Sequence, residues 1–398
     1  MNRTLVIVGH GMVGHRLAEE VLALDEDGQW RIVILAEEND PAYDRVGLSG
    51  YLDGKSKAHL TLAGRDFLNH PRVDVRLGCS ATGGVPADRT IRTADGETLA
   101  YDALVLATGS RPFVPPVPGH DLPGCFVYRT FDDLDAIRAA ARPGRDGLVV
   151  GGGLLGLEAA NALRLLGMRP HVVETGPHLM PAQLDAGAAE VLHQHVTGLG
   201  VAVHCGTAIA GIAPHTDRTI RSATLANGTV VETPLVVFAA GVRPRDELAP
   251  ALGLERADRG GILTDGYCRT SEERIWAVGE CAALQGRSYG LAAPGYRMAG
   301  SIARQLLGQE TEPLGDIDTS TTLKLLGVSV ATFGTTRHEG AMAAVFAEDT
   351  RYAKALLHPD TGALLGGILA GETGSRSALQ PFIGQPPPAD LEQLLLPT

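Results

Sequence analysis

Gly9, Gly11 and Gly14 follow a short apolar run as V-G-H-G-M-V-G, and Gly151, Gly153 and Gly156 follow another as V-G-G-G-L-L-G. This G-x-G-x-x-G spacing does its chemistry without side chains. The first glycine permits a tight turn, the second lets backbone approach a pyrophosphate, and the third lets a helix pack on a strand with the phosphates at its N-terminus. After each motif come a helix-like stretch and a second apolar run ending in an acid, Glu37 in the first copy and Glu174 in the second. A carboxylate there can accept the hydroxyls of an adenosine ribose. The glycine spacing alone is weak in a chain with 50 glycines, but the flanking runs and terminal acids supply the missing context. Two copies about 140 residues apart imply two dinucleotides.

The elements that must position these residues repeat as well. Tyr101 to Gly109 reads as a buried strand ending in Ala107, Thr108 and Gly109, small residues that allow close passage of backbone beside a cofactor. Leu235 to Pro244 echoes it, L-V-V-F-A-A-G-V-R-P against L-V-L-A-T-G-S-R-P, with Gly241 in the matching turn. Each half therefore reads as glycine motif, acid-ended strand, then a strand closing on small residues and Arg-Pro, which is the pattern of an internal duplication. Pro41 to Leu60 reads as a loop leading into a short helix, Val73 to Arg76 and Thr90 to Thr93 as short strands, and Arg111 to Gly119 as a proline-rich connector. Helices are expected over Thr130 to Ala141, Asp185 to Leu199 and Ala292 to Leu307, with strand-like pieces near Val201, Ile220 and Val230 and a turn at Gly279-Glu280. From about Thr319 strands and turns form a small α+β unit, and the closing P-P-P-A-D stretch is expected to be weakly ordered. His10 and His15 lie in or beside the first glycine loop, where imidazoles are expected to face solvent.

At 398 residues the chain exceeds one ordinary domain, and length alone suggests two or three. A net charge of -12 argues against nucleic acid or an anionic membrane as the main partner. The N-terminus reads as a first strand rather than a signal peptide, and no apolar run approaches the roughly 18 residues of a membrane helix. A soluble cytoplasmic protein is the expectation. Cys79, Cys125, Cys205, Cys268 and Cys281 are scattered, without a C-x-x-C pair or zinc-finger spacing, so no metal or redox dithiol is expected.

Taken together, these residues resemble the two-dinucleotide-binding-domain flavoproteins of the pyridine nucleotide-disulfide oxidoreductase superfamily. The likeness is closest to the FAD/NADH-binding portion of the nitrite reductase large subunit and to ferredoxin and rubredoxin reductases. It runs over nearly the whole chain, through V-G-H-G-M-V-G-H-R, A-Y-D-R-V-G-L-S, V-L-A-T-G-S-R-P, G-G-G-L-L-G-L-E, H-L-M-P-A-Q-L-D, A-G-V-R-P-R-D-E-L, G-E-C-A, Y-G-L-A-A-P-G-Y and T-L-K-L-L-G-V. The resemblance implies an α/β fold of two Rossmann-like, glutathione-reductase-like domains: an FAD domain from 1–112 and 246–318, an NAD(H) domain from 113–245, and a C-terminal α+β interface domain from 319–398. It implies that FAD lies along Gly9, Gly11, Gly14, Glu37, Arg45, Ala107, Thr108 and Gly109, with Gly279 and Glu280 at its ribityl chain and Ala293 and Pro294 near its pyrimidine. It implies NADH along Gly151, Gly153, Leu154, Leu155, Gly156, Glu174 and Gly241, with the nicotinamide stacked on the flavin. The phosphate of NADPH would meet the charge of Glu174 at a cost of about 1 to 4 kcal/mol at ~4 Å, a roughly ten- to thousandfold preference for NADH.

The chain also departs from the family pattern. Relatives that reduce disulfides or peroxides carry a reactive cysteine near the loop matching Val46 to Gly50, and this loop has none. Ferredoxin-reductase-like relatives follow L-S with a lysine that pairs with the glutamate matching Glu158 near flavin N5, and here Gly50 follows Ser49. Glu158 then stands unpaired, pairs with Lys55 or Lys57, or serves only its helix; Glu158 and Lys55 are the catalytic candidates beside the flavin itself. The nitrite reductase large subunit continues into cysteine-rich iron–sulfur and sirohaem segments that this sequence lacks, so nitrite reduction by that route is not expected of it alone. The expected activity is transfer of electrons from NADH through FAD to a separate protein partner, a ferredoxin- or rubredoxin-like carrier or a nitrite or nitrate reductase subunit. The alternatives are direct reduction of oxygen, a quinone or a small nitrogenous metabolite, and an NADH-sensing flavoprotein that binds rather than turns over. A homodimer is compatible with the family.

Overall fold

The computed structural model describes residues 3–315, 317, 320–325 and 327–395, without the side chains of 321–325. The expected boundary at 318/319 and Leu326 of T-L-K-L-L-G-V lie outside the described residues. The chain divides into two compact units, Met1–Arg111 with Val242–Ile317, and Pro112–Gly241 with Asp318–Thr398.

Each unit is built on a five-stranded parallel sheet, and the four strands from each glycine motif onward share one order, while the fifth, edge strand comes last in the chain in the first unit and first in the second. In the first unit the sheet runs Val73–Arg76, Trp30–Leu35, Arg3–Val8, Ala103–Leu106, Ile275–Ala277. In the second it runs Ala202–Cys205, Arg169–Glu174, Asp146–Val150, Val236–Phe238, Cys125–Val127. The strand before each glycine motif is central, with the order reversing beside it. Such a switch point leaves a crevice at the carboxyl ends of the strands. A three-stranded antiparallel sheet, Ala81–Val85 to Ala100 in one unit and Ile209–Pro214 to Val231 in the other, intervenes before the fourth strand of each parallel sheet. The duplication read from sequence is thus repeated in topology.

Burial on both faces explains the near-continuous apolar runs. Leu5, Val6 and Ile7, and Leu148 and Val149, are fully buried. The helix after each motif, Met12–Leu24 or Leu154–Leu165, turns its apolar stripe inward: Leu17, Ala18 and Val21 in the first, Leu157, Ala160 and Leu163 in the second. The helix expected from Thr130 forms over Phe131–Ala140, opened by a reciprocal capping box between Thr130 and Asp133.

The C-terminal segment folds as a five-stranded antiparallel sheet, ordered Thr321–Leu325, Val328–Gly334, Leu364–Gly371, Arg351–Leu357, Met342–Glu348. After the P-P-P-A-D stretch, which is coil and turn, a short helix, Leu391–Leu395, lays Leu395 into the core with Phe333, Leu364 and Leu379. One carboxylate ties this sheet to the helix Ala186–Gly198. Asp185 accepts the Ala188 N–H at 3.1 Å, capping that helix, and also the Tyr352 hydroxyl and the Lys354 ammonium, each at 2.9 Å. Burial alone would raise the Asp185 pKa, but these donors hold it below the usual carboxylate range.

Gly187 lies under the Tyr352 ring, and a methyl group there would collide with it. Gly→Ala inside a helix ordinarily stabilises by about 0.5–1 kcal/mol. Because Asp185 holds the ring, the clash wins. Gly187→Ala is expected to destabilise by about 1–3 kcal/mol in urea unfolding, and unchanged or increased stability would refute this packing.

Candidate functional site: two glycine cradles

The two glycine motifs are shaped alike, and their glycines divide by what forces them. A methyl group at Gly9 would strike the Ala107 carbonyl oxygen, and one at Gly151 the Ala239 carbonyl oxygen; both residues also have positive φ, +111° and +118°. Methyl groups at Gly14 and Gly156 would strike the carbonyls of Gly9 and Gly151. Gly11 and Gly153 differ, because a methyl group at either would meet nothing within 4 Å. Both cap their helices with extended backbone and no side-chain hydrogen bond. The protein's own packing thus explains the first and third glycines of each motif but not the second, which faces open space at a helix N-terminus. A phosphate needs that space and those N–H groups.

In the first unit several sequence motifs meet around this turn. Gly279 and Gly295 both pack on Val13, so G-E-C-A and the A-P-G helix start, with Ala293 and Pro294, border the first glycine helix. Glu280 accepts the Ser110 hydroxyl at 2.8 Å. Thr108 donates its hydroxyl to the Arg245 carbonyl at 2.5 Å, and the Arg245 N–H donates to Gly109 at 2.9 Å. The Arg45 guanidinium lies 2.6 Å from Glu38 and over the Tyr43 ring, and Tyr43 donates to Glu38 at 2.8 Å. Burial opposes the Arg45 charge, yet Tyr43, Glu38 and Glu280 raise its pKa. Glu37 pairs with Arg245. Glu38, Ser110 and Arg245 were not singled out in the sequence. The repeated S-R-P and V-R-P-R was the only hint to the last two, and adjacency to Glu37 the only hint to Glu38.

In the second unit Glu174 is nearly buried. Its two carboxylate oxygens accept the Gly152 N–H at 2.7 Å and the Gly176 N–H at 2.6 Å, and Thr175 donates at 3.2 Å. A carboxylate offers about four acceptor positions, so capacity remains for a ribose hydroxyl. Leu154 and Leu155 open the helix at Gly153, and Gly241 has positive φ with open space beside it.

The register separates two acids that the sequence presents as equivalents. Gly9 N–H donates to the Leu35 carbonyl and Gly151 N–H to that of Val173, so Ala36, not Glu37, occupies the place of Glu174. This explains a second difference. Position 10 matches Gly152, where a side chain would crowd Glu174 at 2.8 Å. With alanine at 36 an imidazole fits, and His10 is 8% exposed and His15 2%, which corrects the expectation of solvent-facing rings. His10 stacks on Phe67 and His15 meets that ring edge-on at 4.4 Å. Among the described residues the nitrogens of His10 and His15 have no hydrogen-bond partner, and the His15 ring lies 3.5 Å from Glu19, a long contact.

Glu158 lies on the helix Leu154–Leu165 of the second unit, and Lys55 belongs to the first. The Lys55 stem runs over Gly50, where a side chain would come within 2.7 Å of it, and Lys57 reaches Asp40 at 2.8 Å. No cysteine is poised for thiolate chemistry. All five are free, and burial raises the Cys125 pKa to about 11 and that of Cys268 to about 12.

Residues 3–299 match the family model for pyridine nucleotide-disulphide oxidoreductases. The chain belongs to this family. Its members use FAD and NAD(P)H, and the two cradles are of the kind those dinucleotides require. The chain is 45% identical to the nitrite reductase [NAD(P)H] large subunit of Klebsiella oxytoca, over 99% of its own length and 41% of that protein. It is 33% identical to the rubredoxin-NAD(+) reductase of Alcanivorax borkumensis, over 77% of itself and 80% of that protein. The chain therefore spans less than half of the nitrite reductase relative. Among solved structures, the ferredoxin reductase for the CYP199A2 system of Rhodopseudomonas palustris superposes with a TM-score of 0.83 at 25% identity, covering 93% of this chain and 91% of that one. No helix among the described residues is long and apolar enough to cross a membrane.

Two outcomes follow. Gly9→Ala is expected to abolish folding, whereas Gly11→Ala keeps the parent melting temperature but weakens FAD binding at least tenfold by fluorescence titration. Equal FAD affinity in Gly11→Ala would refute the assignment of that space. The His10 pKa is lowered to about 3, first by burial and then by His15. The unfolded chain therefore binds a proton near pH 6.5 that the native protein refuses, and stability falls as pH drops from about 6.5 toward 3. Over two pH units this amounts to about 2–3 kcal/mol. His10→Asn should remove that part of the pH dependence in urea unfolding at pH 6.5 and 4.5, and an unchanged slope would refute it.

Proposed function

We propose that this chain is an NADH-dependent FAD oxidoreductase that passes electrons to a separate redox partner protein. The observation that carries the reading is the pair of open cradles at Gly11 and Gly153, each at the switch point of its own parallel sheet. When bound, FAD supplies the hydride and single-electron chemistry, and the protein supplies placement and charge. In this reading FAD occupies the first unit. The helix beginning at Met12 receives its pyrophosphate, Glu280 is oriented by Ser110 toward the ribityl chain, and Arg45 is held by Glu38 and Tyr43 beside it. The helix Ala292–Leu306 brings the positive end of its dipole to the flavin pyrimidine through Ala293 and Pro294. NADH occupies the second unit, its pyrophosphate at Gly153 and its adenosine ribose at Glu174. Lys55, laid over Gly50, and Glu158 are the side chains assigned to the neighbourhood of the reacting ring.

A protein acceptor is favoured because no thiol is available as a relay and because relatives named for rubredoxin and ferredoxin partners resemble this chain over about three-quarters of its length or more. The purified protein is expected to turn over NADH at least tenfold faster with a ferredoxin- or rubredoxin-type carrier than with oxygen. Equal rates would favour direct oxygen reduction. Glu174→Gln is expected to narrow the ratio of kcat/KM for NADH over NADPH by tenfold or more while flavin content stays at the parent value, and an unchanged ratio would overturn the role of Glu174.

A further inference from the structure

We propose that Arg245 is an FAD-binding residue, a cation that crosses the mouth of the first cradle and holds the adenosine diphosphate half of the cofactor. The inference rests on FAD occupying the first unit and adds a residue to that site. Its basis is where the side chain begins and ends. The Arg245 backbone is stitched to the end of the strand Ala103–Leu106: its N–H donates to Gly109 and its carbonyl accepts the Thr108 hydroxyl. Its guanidinium pairs with Glu37, two residues past the end of the strand Trp30–Leu35. Those two strands flank Arg3–Val8 on opposite sides. Neighbouring strands lie about 4.8 Å apart, so the pair spans about 10 Å across the carboxyl end of the central strand, where the chain turns through Gly9 to Gly11. A dinucleotide seated at Gly11 must lie beside this side chain.

Charge points the same way. Glu37, Glu38 and Glu280 gather at this edge, and a diphosphate brings further negative charge to it. Glu38 already faces Arg45 and Tyr43, and Glu280 faces Ser110 and Arg45. Arg245 is the cation that answers Glu37. A guanidinium has five N–H donors in a planar fork, more than one carboxylate takes up, so it can face Glu37 and a phosphate together. In the second unit Thr175, not an acid, stands at the position matching Glu37, so an arginine has no carboxylate to meet there. As a mere surface pair, with Arg245 38% and Glu37 53% exposed, the contact would contribute little to stability.

The test is FAD titration of flavin-stripped protein at low and high salt, comparing the parent with Arg245→Ala and Arg245→Lys, and with FMN, which lacks the adenosine half, as a second ligand. Arg245→Ala is expected to bind FAD at least tenfold more weakly, with a flatter salt dependence, unchanged FMN affinity and an apoprotein melting temperature near the parent value. Arg245→Lys should fall between the two. FAD affinity in Arg245→Ala within twofold of the parent, or an equal loss for FMN, would overturn the inference. A parent protein that takes up no FAD would overturn the cofactor reading as well, which separates the two failures.

Discussion

Two backbone collisions that never happen organise this protein. The first glycine of each motif lies against the carbonyl of the residue ending the fourth strand's run, Ala107 or Ala239, so closely that no Cβ fits. The third glycine lies equally close to the first. These approaches pull the strand, the turn and the following helix together, and the helix N-terminus is left at the switch point with nothing before it. The open second glycine follows from this packing. Structural necessity fixes the first and third glycines of each motif and leaves the second facing open space.

Much of this was legible in the sequence, for physical reasons. Parallel strands buried on both faces must be apolar throughout, so L-V-I-V and G-L-V-V announced themselves, and the glycine spacings fixed the turns that follow. The capped helices were equally plain, with Thr130 and Asp185 standing one residue before Phe131 and Ala186. What the sequence hid was register. Glu37 and Glu174 both close an apolar run, yet one residue of offset puts Ala36 where Glu174 stands. No count of residues shows this, because the offset depends on which carbonyl each glycine N–H finds. The burial of His10 follows from the same offset. Long-range side-chain partners such as Ser110 with Glu280, Tyr352 with Asp185 and Arg245 with Glu37 were likewise illegible, since 170, 167 and over 200 residues separate them.

The asymmetry between the halves is chemically sensible for two different cofactors. In the second unit the acid is clamped by backbone amides and leaves its remaining capacity for a ribose. In the first, the acid moves outward to meet an arginine and an imidazole fills the space beneath. Under the proposed reading, the second unit's arrangement would suit a dinucleotide that exchanges in every turnover, and the first unit's would suit one retained through many turnovers. The same duplicated scaffold is thereby specialised by a few positions near the strand ends.

Anaerobic titration of the flavin-loaded protein with NADH, followed by flavin absorbance and by a count of bound nucleotide, tests the central claim most directly. The account requires one FAD per chain, bleached by a single equivalent of NADH. A protein that holds no flavin, or holds flavin that NADH leaves oxidised, would contradict it.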